Sequence, residues 1–381
     1  VPEPPRRRRG RHALGLTATA VIALAAGAGA GVALSHGSSP SGSATATSKT
    51  ALTTPQIAQR VDPGLVDVTS TLGYQGATAK GTGIVLTSNG EVLTNNHVIS
   101  GATSVSVTDI GNGKTYKATV VGYDESQDIA VLQLSGASGL TTATTGDSST
   151  VQNGDNVVAL GNAGGAGGTP AVAVGTVTAL NQSITASDES SGTSEQLTGL
   201  IETNADIQAG DSGGPLVNSH GQVIGVDTAA SSGFQFGNGF GGNGFGDNGS
   251  SGSGQTSTTQ GYAIPINTAL SIARQIEAGQ ASSTVHVGTT AFLGVGIASS
   301  SEQSSSGVTI AGATSGSPAA SAGLTAGDVI TSVAGQSVST GTSIQQVLER
   351  YHPGDKVSIA WTDTSGQSHT ATVTLAEGPA A

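Results

Sequence analysis

The sequence predicts a mainly β chain: a large domain of short strands, of barrel or sandwich type, then a smaller α+β domain, both behind an apolar N-terminal segment. Three observations carry this. Short β-branched runs recur between Asn-Gly, Gly-Asn-Gly and His-Gly turns from residue 81 to residue 265, a rhythm that suits barrels or a sandwich rather than a parallel sheet with helices. An amphipathic stretch and a polar linker then separate that region from about 90 residues in which strands and a helix mix, a usual size for a domain. Four of the five phenylalanines fall in one glycine-rich stretch and the fifth is Phe292, so the large domain must pack Val, Ile, Leu and Ala, which suits strands.

In chain order, residues 1–35 hold the basic flank RRRRGRH and LGLTATAVIALAAGAGAGVAL (residues 14–34), 21 uncharged residues, long enough to cross a hydrocarbon layer of about 30 Å as a helix. The positive flank predicts a cytoplasmic N-terminus and an exported remainder. Ala-x-Ala triplets such as Ala28-Gly29-Ala30 leave two readings open, a retained transmembrane helix and a cleaved signal peptide. Residues 36–54 form a Ser/Thr/Gly tether.

The large domain is expected over residues 55–279. It opens on the helix TPQIAQRV, with Thr54 as N-cap and Pro55 at the first helical position. The strand runs follow: GTGIVLT, EVLTNNHVI, SVSVTDI, YKATVVGY, DIAVLQL, NVVALGN, VAVGTVTAL, GPLVNS, QVIGVDTA and YAIPI. Residues 231–260 interrupt them with Gly, Ser and Phe, a composition too poor in apolar surface to order itself, and read as a surface insertion. INTALSIARQIEAG closes the domain as a helix stopped at Gly279. After a linker at 280–287, residues 288–378 carry the strands FLGVGI, GVTIAGA, DVITSVAG, KVSIAW and HTATVTL and the helix SIQQVLERY, ended by Pro353-Gly354.

Composition excludes several functions. The chain has no cysteine, which removes disulfides, thiolate catalysis and zinc fingers together. Five of the 13 basic residues, Arg6 to Arg9 and Arg11, precede the apolar segment, leaving eight against the 24 acidic residues that follow Glu3. Such an acidic body repels nucleic acid. GNAGGAGGTP (residues 161–170) lacks the Lys-Ser/Thr of a phosphate loop and no H-E-x-x-H occurs, so neither a nucleotide, a metal nor another cofactor is expected.

Three residues carry the chemistry. His97, in LTNNHVIS, is expected where a buried strand leaves the core, a place from which an imidazole can face a cleft. Asp128 leads into the apolar run DIAVLQL, where a buried carboxylate needs a hydrogen-bonding partner; orienting an imidazole would supply one. Ser212, in QAGDSGGPLV, is a poor nucleophile unless a base and oxyanion donors stand beside it. The glycines around it let the backbone curl so that the Gly210 and Ser212 amides can aim at one oxygen. GDSGG also spells the G-x-S-x-G nucleophile elbow, but that turn needs a following helix and a later acid and histidine. Here a strand follows, and the order His97, Asp128, Ser212 is that of double-barrel serine proteases.

From about residue 55 to 378, LTNNHVI, DIAVLQL, GDSGGPLVNSHGQVIGVDTA, GYAIPIN, FLGVGI and GSPAASAGLTAGDVITSVAGQSV resemble HtrA/DegP-type serine proteases with one C-terminal PDZ domain. The resemblance implies a chymotrypsin-like double β-barrel followed by an α+β PDZ domain. It makes His97 the general base, Asp128 its orienting acid, Ser212 the nucleophile, and the Gly210 and Ser212 amides the oxyanion hole. Phe292, Leu293, Gly294 and Val295 become the loop that takes a peptide carboxylate, the peptide adding as a strand. Implied with them are unfolded or damaged protein substrates outside the cytoplasm, C-terminal peptides at the PDZ domain, attachment to the membrane through the N-terminal segment, and a homotrimer.

Two features depart from that pattern. HtrA-type serines commonly follow Asn, whereas Asp211 has the trypsin spelling, in which a zymogen's aspartate pairs with a new Ile-Val-Gly-Gly terminus. That tetrapeptide is absent, so Asp211 is expected to have another partner and the enzyme to need no N-terminal cleavage. The insertion 231–260 is the second. A lid over the cleft and a tolerated surface loop are its two readings. Against the protease stands a chaperone or stress sensor that holds peptides uncut. A pure binder has no use for base, acid, nucleophile and oxyanion glycines together.

Overall fold

The computed structural model describes residues 51–188, 193–228, 260–298 and 307–380. The apolar segment 14–34 and all but Gln260 of the insertion 231–260 lie outside them. Among the described residues no helix is long and apolar enough to cross a membrane.

The large domain is two six-stranded barrels. In the first, Leu65–Leu72 pairs with Ala77–Val85 and with Ser104–Asp109, and Glu91–Thr94 joins Ala77–Val85 to Ile129–Leu134. Thr115–Asp124 closes the circuit by pairing both Ser104–Asp109 and Ile129–Leu134. The second barrel runs Pro215–Asn218, Val223–Thr228, Gly261–Pro265, Thr193–Thr203, Ala171–Asp188, Asn156–Gly161 and back. Closure leaves neither barrel an open edge to aggregate. Leu65–Leu72 and Thr193–Thr203 are strands additional to the runs expected from sequence.

Between the barrels sits one apolar core. Leu65, Ile84, Leu93 and Ile129 from the first meet Leu160, Val217, Val226 and Ile264 from the second, all nearly inaccessible to solvent. Each such side chain contributes about 1.5–3 kcal/mol by leaving water. The helix Ile266–Glu277 seals this core with Ile266, Ala269, Ile272, Ala273 and Ile276, one stripe at helical spacing. It ends where expected, at Gly279 with φ +67°.

Three expectations need correction. The first helix is Thr54–Val61 with Thr53 as its cap, because Gln56 Oε1 accepts from both the amide and the hydroxyl of Thr53, each at 3.0 Å. The strand before His97 stops at Thr94, and His97 rides on the one-turn helix Asn96–Ile99. The residues read as a linker end in the strand Val285–Val287, which pairs with Thr115–Asp124. There His286 stacks on Tyr123 at 4.9 Å, so the chain is stitched to the first barrel before it leaves.

The C-terminal domain is a sheet of Val295–Ile297, Val308–Ala313, Val329–Val333, Lys356–Thr362 and Ser368–Thr374, with helices Pro318–Ala322 and Gly341–Leu348. Trp361, Leu293, Ile310, Ile330, Ile344 and Ile359 fill its core. FLGVGI is two short strands, Ala291–Phe292 and Val295–Ile297. The break falls at Gly294, whose φ of +79° admits no side chain cheaply.

Candidate active site

Asp128 is placed by the turn before it. Glu125–Gln127 form a single helical turn, and Asp128 leaves it in the left-handed region, φ 51°, ψ 46°, as Asp and Asn can at small cost. This turns its carboxylate toward the His97 helix. Oδ1 accepts the His97 amide at 3.0 Å and Oδ2 lies 2.8 Å from His97 Nδ1. The Thr228 hydroxyl donates to Oδ2 at 3.2 Å, and Asn95 Nδ2 donates to the Asp128 carbonyl at 2.8 Å. The acid is 2 % exposed and fully engaged. Binding the imidazole at Nδ1 assigns the proton there and leaves the lone pair on Nε2, since a neutral ring donates from one nitrogen only.

Ser212 sits on the turn between Thr193–Thr203 and Pro215–Asn218. Its curl needs two positive φ angles, +97° at Gly210 and +84° at Gly213. Side chains there would strike the Asn162 carbonyl and the Thr82 carbonyl respectively. Thr82 is the main support: its hydroxyl donates to the Gly210 carbonyl at 2.8 Å, accepts from the Asn162 amide at 2.9 Å, and its own amide donates to the Ser212 carbonyl at 2.8 Å. Among the described residues the Gly210 amide donates to no group.

Gly81 brings base and nucleophile loop together. A Cβ there would come within 2.7 Å of Val98, the neighbour of His97, and within 3.0 Å of the Ser212 carbonyl. Thr228 ties the two barrels from the other side, its hydroxyl on Asp128 and its strand hydrogen-bonded to the nucleophile turn by Gly213 N to Asp227 O at 2.9 Å. So His97, Asp128 and Ser212 converge at the seam between the barrels. Gly81, Thr82, Asn95 and Thr228 were not singled out from sequence. Their roles are long-range, and no local spacing announces them.

Asp211 also shows its environment here. Its Oδ2 accepts the Gln208 amide at 2.9 Å, Oδ1 is buried with no hydrogen-bond partner, and Gly161 makes room for it. Burial pushes its carboxyl up to about 6.

In the second domain the four predicted loop residues divide. Leu293 is core, and Phe292 stacks on Tyr74 of the first barrel at 5.6 Å. The Leu293 carbonyl accepts from Ala319 N at 3.0 Å, and the Gly294 carbonyl accepts from Thr314 N at 2.9 Å and Ser317 Oγ at 3.3 Å. Both carbonyls of this turn are thus spent inward. Among the described residues Val295–Ile297 pairs on one side only, with Val308–Ala313. Ile297 lies against Gly341 at the start of the helix Gly341–Leu348, so the strand and the helix are neighbours.

Residues 81–226 match the trypsin-like peptidase domain and residues 309–362 match the PDZ domain. The chain is 31% identical to serine protease PepD of Mycobacterium tuberculosis over 84% of its own length and 65% of that protein. With the serine protease Do-like HtrA of Lactococcus lactis it shares 33% identity over 81% of itself and 73% of the relative. With a probable periplasmic serine protease do/HhoA-like of Haemophilus influenzae it shares 36% over 76% of itself and 56% of the relative. It thus spans between about half and three quarters of these proteins.

Proposed function

The chain belongs to the HtrA/Do-type serine proteases, and on that premise we propose that it is an ATP-independent endopeptidase that cuts unfolded or damaged proteins outside the cytoplasm. The observation that carries the reading is the buried Asp128 carboxylate held on both the amide and Nδ1 of His97, at the seam where the Ser212 turn arrives. In this reading His97 Nε2 takes the Ser212 proton as the hydroxyl attacks a peptide carbonyl. The Gly210 and Ser212 amides stabilise the oxyanion, and the acyl-enzyme is released by water activated in the same way. His97 acts in its neutral form, which is the form able to accept the proton. Export through the segment 14–34, with anchoring if it is retained, supplies the location. The relative described as periplasmic supports it. Assembly as a homotrimer belongs to the same proposal.

The test is direct. Purified protein without ATP is expected to degrade unfolded casein, spare a compactly folded protein, and take a fluorophosphonate label on Ser212. Casein held in a stable complex with no cleavage and no label would favour the chaperone reading.

The PDZ domain is proposed to bind C-terminal peptides in the groove between Val295–Ile297 and Gly341–Leu348. Gly294→Val forces a β-branched residue into φ +79° and against Ser317, a conformation costing about 1–3 kcal/mol. Binding of C-terminal peptides, read by fluorescence polarisation, is expected to weaken about tenfold or more, with fluorophosphonate labelling unchanged.

A further inference from the structure

We propose that Lys80 of the first barrel is a positioning residue for the oxyanion donor of the second, acting through the glycine loop 162–168. The inference rests on the protease reading above, since it says what keeps the Gly210 amide aimed in that reaction.

The stretch GNAGGAGGTP, which holds no phosphate-binding lysine, lies in the fold directly against the nucleophile turn. A Cβ on Gly210 would strike the Asn162 carbonyl and come within 3.0 Å of Gly165 N. The Gly164 amide donates to the Ala209 carbonyl at 2.7 Å. That carbonyl belongs to the same peptide unit as the Gly210 N–H. A trans peptide is planar, with its C=O and N–H on opposite sides, so an Ala209 oxygen fixed on the loop turns the Gly210 N–H away from the loop. Rotation of this one unit would remove the donor that the protease reading needs.

The first barrel supplies what holds the loop. In the paired strands Leu65–Leu72 and Ala77–Val85, Asp67 lies opposite Thr82 and Thr69 opposite Lys80, so Asp67, Lys80 and Thr82 share one face of the ribbon. The Thr82 hydroxyl accepts the Asn162 amide at 2.9 Å and Asp67 Oδ2 accepts the Gly168 amide at 3.2 Å. These fix the two ends. Lys80 Nζ donates to the Gly165 carbonyl at 2.7 Å and so grips the middle, one residue from Gly164. Gly164 and Gly165 take φ +71° and +66°, and glycines of such freedom must have their conformation imposed from outside. The lysine stem adds to the grip, since a Cβ on Gly165 would come within 2.9 Å of Lys80 Cδ. An ammonium on a carbonyl is a charge-assisted bond, stronger than one between neutral groups.

The kinetic consequence follows from when an oxyanion donor acts. Its bond strengthens as negative charge develops on the attacked carbonyl, so it favours the transition state over bound substrate. Loss of one such donor outright costs about 10²–10³ in kcat. Removing Lys80 loosens the peptide unit without deleting it, and the expected loss is smaller.

The experiment compares the whole chain with Lys80→Met, which keeps an apolar stem and loses the donor, and with Lys80→Arg, which keeps a charged donor. On unfolded casein Lys80→Met is expected to lower kcat about fivefold or more while KM changes by less than about twofold. The rate of fluorophosphonate labelling falls by the same factor, because the phosphoryl oxygen enters the same hole. Lys80→Arg restores most of both. A kcat that Lys80→Met leaves in place, a loss carried wholly by KM, or a loss that Lys80→Arg leaves unrestored overturns the proposal. Amide hydrogen exchange, followed by nuclear magnetic resonance, reads the loop without catalysis. The Gly164 N–H is expected to exchange about fivefold faster or more in Lys80→Met than in the wild type, and equal exchange overturns the hold of Lys80 on the loop. Should Lys80→Met fail to fold, Lys80→Gln, whose amide nitrogen ends one bond short of the Nζ position, takes its place in both measurements. Absence of fluorophosphonate labelling in the wild type would instead defeat the protease reading, while Gly164 exchange still decides what Lys80 holds.

Discussion

Replacing Ser212 by alanine is expected to lower kcat/KM on unfolded casein by about 10⁶-fold, His97→Ala about as far, and the double variant scarcely further. The non-additivity follows from the geometry. The Nε2 lone pair has a task only while a hydroxyl is present to give up its proton, and the hydroxyl is a weak nucleophile without that base. What survives in each variant is the curl of backbone at Gly210 and Gly213, whose φ angles of +97° and +84° owe nothing to the Ser212 side chain. Residual hydrolysis above the uncatalysed rate, about 10³–10⁴, is therefore expected to persist in all three. Thermal unfolding should separate chemistry from folding. Ser212 packs through its backbone, its carbonyl on the Thr82 amide at 2.8 Å, and Ser212→Ala retains that bond. Loss of activity with a midpoint unchanged within a few degrees is the predicted pair of results. A double variant much worse than either single one would show that serine and histidine act independently, against a shared proton transfer.

The parts of this site that sequence exposes are those whose chemistry is local. Ser212 is legible because glycines at positions 210, 213 and 214 can mean only a tight turn, and chain order then selects the double barrel. Asp128 is legible as an acid leading into the apolar run IAVLQL. His97 is legible as a residue but not in its local structure. The strand before it ends at Thr94, and Asn95 then spends its side chain on the Asp128 carbonyl at 2.8 Å, a bond to the end of the neighbouring strand that is 33 residues away in sequence. Thr82 looks from sequence like any polar residue in GTGIVLT. Only the closed barrel brings its hydroxyl between Gly210 and Asn162. Leu65–Leu72 alternates weakly, with Thr and Ser at its end, and Thr193–Thr203 is broken by Gly199, so neither stands out until its neighbours pair with it. Asp227 is hidden most thoroughly: QVIGVDTA reads as an apolar strand with polar letters at its ends, and complete burial of that carboxyl is a property of the fold alone.

The Asp128→Asn variant separates orientation from mere occupancy at this site, and it is expected to lower kcat/KM by about 10⁴-fold while leaving the fold intact. The substitution is conservative in shape. Asparagine tolerates the left-handed region as aspartate does, so φ 51° at this position adds no strain. An amide oxygen at the place of Oδ1 still accepts the His97 amide, now at 3.0 Å, and Thr228 can rotate its hydroxyl to accept where it now donates at 3.2 Å. What changes is the group 2.8 Å from His97 Nδ1. An acceptor becomes a donor, so Nδ1 must carry the lone pair and Nε2 the proton. The imidazole then faces Ser212 with no base to offer. Turning the amide over restores the acceptor for Nδ1 but aims an N–H₂ group at the His97 amide, two donors face to face. Both arrangements penalise the productive tautomer, and neither lets the side chain stabilise an imidazolium. Fluorophosphonate labelling is expected to slow in parallel with casein cleavage, because it uses the same proton transfer, while peptide binding to the groove beside Val295–Ile297 stays unchanged. A loss smaller than about tenfold, with the midpoint of unfolding lowered instead, would make Asp128 a structural clamp on the Asn96–Ile99 helix and leave the orienting role unsupported.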